Sequence, residues 1–329
     1  AFPSLSTGDA GTYSVTVSNT GGKVPSAPAI LALSSSLPAP LVRYQTAVSN
    51  ETSLISYYTF DRLMPEDVFG SHEGTLAGTA GWGAGFGEGA AQGLLLNGSG
   101  HVSLGTVADF DFSSGVGTIE GWVRADWTSA PSYEPCLFAN RNGPTLWSIH
   151  LSSSKNRISF FNGESGSWYY PPNAGTNWHH VAVVIDAGTV SCYWDGDLVI
   201  YSPLAQELGV GSGTTVQLGS SADTVTSEGW IGMLDEVAFY STALSGDSIQ
   251  AHYNAYYQGQ PPAVTTQPIG GTFLVGKSYQ TSAGTSGTQK RTYQWYKDDV
   301  LIPGATTAII GTSALTPAYS GKYYLAVSN

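Results

Sequence analysis

Residues 177–184 read Asn177-Trp178-His179-His180-Val181-Ala182-Val183-Val184, and residues 192–200 read Cys192-Tyr193-Trp194-Asp195-Gly196-Asp197-Leu198-Val199-Ile200. In the first stretch Trp178, His180, Ala182 and Val184 alternate with His179, Val181 and Val183. Neither face is purely polar, as expected of a strand covered on both sides. In the second, Asp195-Gly196 separates two strand-forming runs, and glycine tolerates the positive φ that a two-residue hairpin turn requires. A strand-rich sandwich follows from these two stretches.

The composition agrees. The chain has 329 residues, 41% of them apolar, with 41 Gly, 19 Tyr and only 11% charged residues. That suits many short strands joined by tight turns, enough for two or three domains, and an all-β chain is expected. Net charge is −12, with 24 acidic against 12 basic residues. No Lys or Arg cluster exists to neutralise phosphates, so nucleic acid and anionic membranes are poor partners. There is no run of ~18 apolar residues and no signal-peptide pattern. Cys136 and Cys192 fall on predicted strands of one domain, where a disulfide and a pair of buried thiols are both open.

Residues 5–19 recur in pattern at residues 315–329, an offset of 310: Leu5, Gly11, Tyr13, Val17, Ser18 and Asn19 align with Leu315, Gly321, Tyr323, Val327, Ser328 and Asn329. A register kept over that separation predicts one repeat of a longer modular array, of which this chain is a fragment. Asp9-Ala-Gly11-Thr-Tyr13 resembles the turn before a buried tyrosine near the end of an immunoglobulin-like sandwich. In the second copy Tyr319 replaces the Asp.

Residues 1–33 are expected to be the last strands of a preceding immunoglobulin-like domain, residues 34–40 a linker, and Leu41–Val48 a single helical turn. Residues 259–262, with Pro261-Pro262, form a second linker. Residues 263–329, with Tyr293-Gln-Trp295-Tyr, resemble an immunoglobulin-like domain that lacks its last strand and the family disulfide. Residues 20–33 of a neighbouring copy or repeat are expected to complete that sheet edge.

The domain between the linkers, 41–258, resembles the laminin-G-like, concanavalin A-like family. The resemblance rests on Leu54-Ile-Ser-Tyr57-Tyr58-Thr-Phe60-Asp61, Thr118-Ile-Glu-Gly-Trp122-Val, the Asn177–Ala182 stretch, and Gly232-Met-Leu234-Asp235-Glu236-Val237-Ala-Phe239-Tyr240. It implies a concanavalin A-like β-sandwich (jelly roll) with a structural calcium site, for which Asp61 and Asp235 are the matching residues. Turn acids hydrogen-bonded to backbone are the competing reading of that pair.

No catalytic constellation stands out. The six His lack metal-ligand spacing, and no strand carries the alternating carboxylates of a sandwich glycosidase. Asp235-Glu236 and His179-His180 are neighbours, expected on opposite strand faces, and His180 reads as a buried, hydrogen-bonded core residue. Asn50-Glu-Thr52 and Asn97-Gly-Ser99 match the N-glycosylation pattern without functional weight. Sugar stacking needs exposed flat rings beside polar groups, and Trp168-Tyr169-Tyr170-Pro171-Pro172 is the densest aromatic loop. Trp127, Tyr133, Asn140, Arg141 and Trp147 are expected to border it, whereas Trp122 and Trp178 match core positions.

Two readings follow for a non-enzymatic, extracellular or bacterial cell-surface chain. One is a structural or adhesive repeat that assembles through its immunoglobulin-like ends. The other is a carbohydrate-binding accessory module for a polysaccharide or cell-surface glycan.

Overall fold

The computed structural model describes the chain apart from residues 1–10, 20, 27–28, 32–36, 88–90, 111, 113, 142–146, 163–164, 170–173, 205–207, 209–214 and 222–227. Of residues 11–12, 29–31, 108, 165 and 168–169 it describes the backbone alone. Four short strands come first: β1 (Gly11–Tyr13), β2 (Thr16–Asn19), β3 (Gly22–Pro25) and β4 (Ala29–Leu31). They form one antiparallel hairpin, β1 on β4 and β2 on β3.

Helix α1 (Ala39–Ser49) then opens the central domain. It starts inside the expected linker and runs for 11 residues, longer than the single turn expected from sequence. Leu41, Tyr44 and Val48 recur at helical spacing and are all fully buried, so packing extends the helix.

The sandwich contains β5 (Leu54–Tyr58), β6 (Thr75–Ala77), β7 (Gly81–Ala84), β8 (Gln92–Asn97), β9 (His101–Gly105), β10 (Val116–Ala125), β11 (Cys136–Asn140) and β12 (Trp147–Leu151). It continues with β13 (Ile158–Asn162), β14 (Ser165–Tyr169), β15 (Trp178–Asp186), β16 (Thr189–Trp194), β17 (Asp197–Pro203), β18 (Val216–Leu218) and β19 (Ile231–Tyr240). One sheet has eight strands, in the order β17-β16-β15-β10-β19-β8-β7 with β5 also on β19. The other has seven, in the order β14-β13-β12-β11-β18-β9-β6. Helix α2 (Gly246–Tyr257) closes the domain, its N-terminus capped by the Ser245 hydroxyl, which accepts from the Ser248 N–H at 3.0 Å.

The eight-stranded sheet is buried on both sides. Ile119, Val123, Val181, Val183, Val237 and Phe239 face the second sheet, together with Trp147 and Trp230. Trp122, Ala182, Val184, Ala238 and Tyr240 face the helices, with Tyr44, Ile249 and Tyr253. This is why β10, β15 and β19 read as nearly continuous apolar runs. Cys136 and Cys192 are buried free thiols on strands of different sheets.

Residues 263–329 form three small antiparallel sheets from β20 (Ala263–Thr266), β21 (Tyr279–Ser282), β22 (Gly284–Ser286), β23 (Thr292–Lys297), β24 (Val300–Leu301), β25 (Ile309–Thr312) and β26 (Tyr323–Ser328). Trp295 is fully buried here and donates its indole N–H to the Thr307 carbonyl at 2.9 Å. Among the described residues no helix is long and apolar enough to cross a membrane.

At Gly232, φ is +145° and a Cβ would sit 2.0 Å from the Arg124 carbonyl oxygen on the neighbouring strand. Gly232→Ala is therefore expected to destabilise the domain by about 2–4 kcal/mol, read as a lowered urea midpoint at unchanged slope.

Candidate functional site

Three of the residues expected to border Trp168–Tyr170 are buried instead. Trp127 and Trp147 lie in the core between the sheets, the first 5.2 Å edge-on from Trp230 and the second stacked on Phe112 at 5.2 Å. Asn140 is the direct cross-strand partner of Trp147, faces the same way and is 1% exposed. None of the three can meet a sugar from solvent. Alternation explains the error, since Trp147, Ile149 and Leu151 turn inward together and aromatic density alone does not distinguish an inner from an outer face.

Arg141 is half-buried and ion-paired with Glu228 at 2.9 Å, and the half-buried Tyr133 donates its hydroxyl to the Gly229 carbonyl at 3.2 Å. Trp168 and Tyr169 belong to the edge strand β14, not to a loop. They lie opposite Ser159 and Ile158, so their positions fall on opposite faces. Tyr170 is outside the described residues. The outer face of this sheet carries Ser148, His150, Ser159 and Gln217, but none is more than 6% exposed. Their hydroxyl and amide groups are closed to a ligand.

An open aromatic cleft lies elsewhere, where α2 and the eight-stranded sheet meet residues 263–329. It encloses about 200 Å³; Trp178, Tyr256 and Tyr257 are its partly exposed rings, Phe86 and Tyr253, 3% and 1% exposed, back it from within, and Asn177, Asp195, Thr265 and Ser286 are its polar neighbours. Tyr253, Tyr256 and Tyr257 share one helix face by their i, i+3, i+4 spacing. Phe86 stacks on Trp122 at 3.6 Å and approaches Tyr256 at 4.2 Å, so a rigid ring stack backs the cleft. Trp178 is half-buried rather than core, with the Arg124 guanidinium 5.2 Å from its ring centre. Its sequence match to a core position hid this, because the far side of the ring meets the cleft only once α2 is in place.

The second unit is fixed against the first. The side-chain amide of Gln289 donates to the Asp195 carbonyl at 2.7 Å and to the Asp197 carboxylate at 3.0 Å. Arg291 donates to the Tyr253 hydroxyl at 3.0 Å. Gln289 and Arg291 are only 8% and 7% exposed, which makes this a dry polar junction. Asp195 sits in the Asp-Gly hairpin turn at φ +53°, as the sequence predicts for a turn there. Its carboxylate accepts from a His179 ring nitrogen at 2.8 Å and the His180 N–H at 3.0 Å, which holds it in place. Burial raises the pKa of Tyr253 and Tyr257, so both phenols stay protonated and neutral.

His180 is fully buried as expected, with a ring nitrogen 3.2 Å from the Glu120 carboxylate. Glu120 also pairs with His252 of α2 at 2.8 Å and accepts from the Tyr240 hydroxyl. These groups tie α2 to the sheet from within and do not reach solvent.

A third cluster lies where β19 changes partners along one edge, from β8 at Ile231–Leu234 to β5 at Val237–Tyr240. Asp235 and Glu236 occupy that switch. Glu236 has φ +54°, and the register against β10 shifts here, so strict alternation fails. The expectation that Asp235 and Glu236 alternate to opposite faces assumed a regular strand, which this bulge interrupts. Gln45 of α1 donates to Glu236 at 2.8 Å and to Asp61 at 3.4 Å, linking them. Asp235 accepts from the Phe86 and Glu236 N–H groups at 2.7 and 2.9 Å, and Asp61 from the Gln92 N–H at 3.0 Å. Burial raises the pKa of all three, and the Glu236 charge raises that of Asp235 further. All-oxygen donors with no basic side chain among their hydrogen-bond partners suit a hard cation such as calcium. Among the described residues, however, no three acidic, His or Cys side chains already surround one ion position.

Residues 96–250 match the family model Laminin_G_3, the concanavalin A-like lectin/glucanases superfamily. No curated protein matches the chain. Among solved structures, the binding domain of Paraclostridial Mosquitocidal Protein 1 is similar at 13% identity, over 83% of this chain and 73% of that one, with a TM-score of 0.51. A botulinum neurotoxin type C structure, described as interacting with two ganglioside molecules, is similar at 14% identity over 80% and 70% of the chains, with a TM-score of 0.50. Domain 4 of AbnA, an extracellular arabinanase of Geobacillus stearothermophilus in complex with arabinotriose, shows 19% identity over 61% and 98%, with a TM-score of 0.48. At these identities the likeness is one of fold.

Carboxyls that hold protons more tightly when folded favour folding at low pH, and that contribution is lost as pH rises through their raised range. In chelator, the melting temperature is thus expected to fall between pH 5 and pH 8. Glu236→Gln should reduce that fall, measured by calorimetry at both pH values.

Proposed function

We propose that this concanavalin A-like domain, with residues 263–329 packed on it, is a non-catalytic carbohydrate-binding module of an extracellular or cell-surface protein. The observation that carries the reading is the junction cleft. Ring faces with neutral phenol, hydroxyl and amide groups beside them suit the C–H face and hydroxyls of a sugar. At about 200 Å³ it lies below the ~300 Å³ of typical drug-sized pockets and suits a single ring or a chain end. Among the described lining residues Asp195 is the one carboxylate, and it is held by His179, an arrangement that suits sugar binding. The fold is compatible, since the similar botulinum neurotoxin type C structure concerns gangliosides. Both supports favour the glycan module over a purely structural or adhesive repeat.

Calcium is proposed at Asp61 and Asp235, with Glu236 beside them, where it would neutralise the buried carboxylates and clamp the first and last strands of the sandwich. Millimolar calcium should then raise the melting temperature at pH 8, and Asp61→Asn should remove the increase.

For the cleft, a glycan array followed by titration calorimetry on the best sugar is the direct test. Tyr256→Ala and Trp178→Ala are each expected to weaken binding about tenfold or more, roughly 1.4 kcal/mol, with unfolding unchanged in cooperativity. Trp168→Ala should leave affinity intact. If Trp168→Ala alone abolished binding, the site would move to β14.

A further inference from the structure

The junction cleft has a charge as well as a shape. Among the described residues its lining holds one carboxylate, that of Asp195, and no Lys, Arg or His. The Asp195 side chain is 11% exposed, and its oxygens accept from the His180 N–H at 3.0 Å and a His179 ring nitrogen at 2.8 Å. A carboxylate offers about four lone-pair sites, so these two hydrogen bonds leave it able to accept more. His179 is not on the lining, and the carboxylate, not the imidazole, meets the open space. Burial, and after it the Asp195 charge, raises the pKa of Tyr253 and Tyr257, which sets that charge beside the rings of α2.

The guanidinium groups behind the cleft are committed elsewhere. Arg124 forms a two-point ion pair with Asp126 at 2.8 and 2.9 Å. Arg291 donates to the Tyr253 hydroxyl at 3.0 Å and the Gly287 carbonyl at 2.8 Å, and Arg43 donates to the Ala255 and Tyr256 carbonyls. None presents the N–H fork that binds a sugar carboxylate or sulfate. Aromatic faces, by contrast, attract a cation within about 6 Å. Arg124 and Arg291 already lie against Trp178 and Tyr253, so a ligand cation is placed on the side of Tyr257 and Asp195. The chain's net charge of −12 biases approach in the same sense.

We propose that the cleft selects sugars carrying a free amine, with Asp195 as the residue that sets the preference. The ammonium group donates to the Asp195 carboxylate and rests against the Tyr257 ring, while the C–H face of the sugar stacks as in the glycan reading, on which this inference rests. Acetylation removes the charge and adds an acyl group that a space of about 200 Å³ must also hold. An acidic sugar brings a second carboxylate beside Asp195 with no guanidinium to meet it, which rejects the wrong ligand by repulsion. The ligand class is therefore a hexosamine residue with its nitrogen unacetylated.

The test is titration calorimetry of the full chain at pH 7 and low salt with oligomers of glucosamine, N-acetylglucosamine, glucose and glucuronic acid, all of one length. The glucosamine oligomer is expected to bind about fivefold or more tighter than its acetylated form, and the glucuronic acid oligomer not measurably. Added salt should shrink the amine preference. Asp195→Asn, a residue that tolerates the φ of +53° at this turn, should bring the amine and acetylated affinities to within about twofold of each other. A wild-type preference below about twofold, or glucuronic acid bound as tightly as glucosamine, would overturn the inference and leave the glycan module standing. Tetramethylammonium binding as tightly as the amine oligomer would also overturn it, by assigning the cleft to an ammonium ion without its sugar. So would no binding by any of the oligomers, in which case the glycan array alone decides the module reading.

Discussion

The eight-stranded sheet must be covered on both faces, and most of the architecture answers that constraint. The seven-stranded sheet covers one face, with Trp147, Phe239 and Val183 between the layers. Nothing in the strands themselves can cover the other, where Trp122, Ala182 and Tyr240 are exposed until helices arrive. At about 25 cal/mol per Å², leaving rings of this size in water would cost several kcal/mol, so α1 and α2 are structural necessities.

Both proposed sites of the central domain are by-products of that covering. Helix α2 brings Tyr253, Tyr256 and Tyr257 beside Phe86 and Trp178, which creates the aromatic cleft. Helix α1 brings Gln45 between Asp61 and Glu236, which gathers the carboxylates at the partner switch of β19. The third contributor is the C-terminal unit, whose Gln289 and Arg291 lock its position and so give the cleft its outer wall. Binding and stability are thus coupled through shared rings.

The sandwich was legible where local chemistry determines structure. Asp195-Gly196 marked its hairpin, and the doubly apolar run from Trp178 marked a central strand, because period and turn chemistry act over a few residues. The site was less legible because exposure depends on partners distant in sequence. Trp147 and Trp168 look alike in a string, yet one lies in the core and the other on an edge strand. Trp178 read as core although it is only partly buried, and Glu236 was set on the face opposite Asp235 although its positive φ breaks the alternation used to judge the pair. The three-turn α1 was read short, since its stripe of Leu41, Tyr44 and Val48 makes sense only against a sheet that begins later in the chain.

The first and last strands of the sandwich are neighbours, with Leu54 directly opposite Tyr240. Helices α1 and α2, which carry the chain in and out, are held together by Arg43, whose guanidinium donates to the Ala255 and Tyr256 carbonyls at 3.0 and 3.3 Å. Tension applied through the flanking segments would therefore pass across the two helices and the short β5–β19 ladder. The Gln289 junction gives the C-terminal unit a second anchor, on the turn between β16 and β17. Pulling on the tethers would thus load both ends of the eight-stranded sheet rather than one ladder alone.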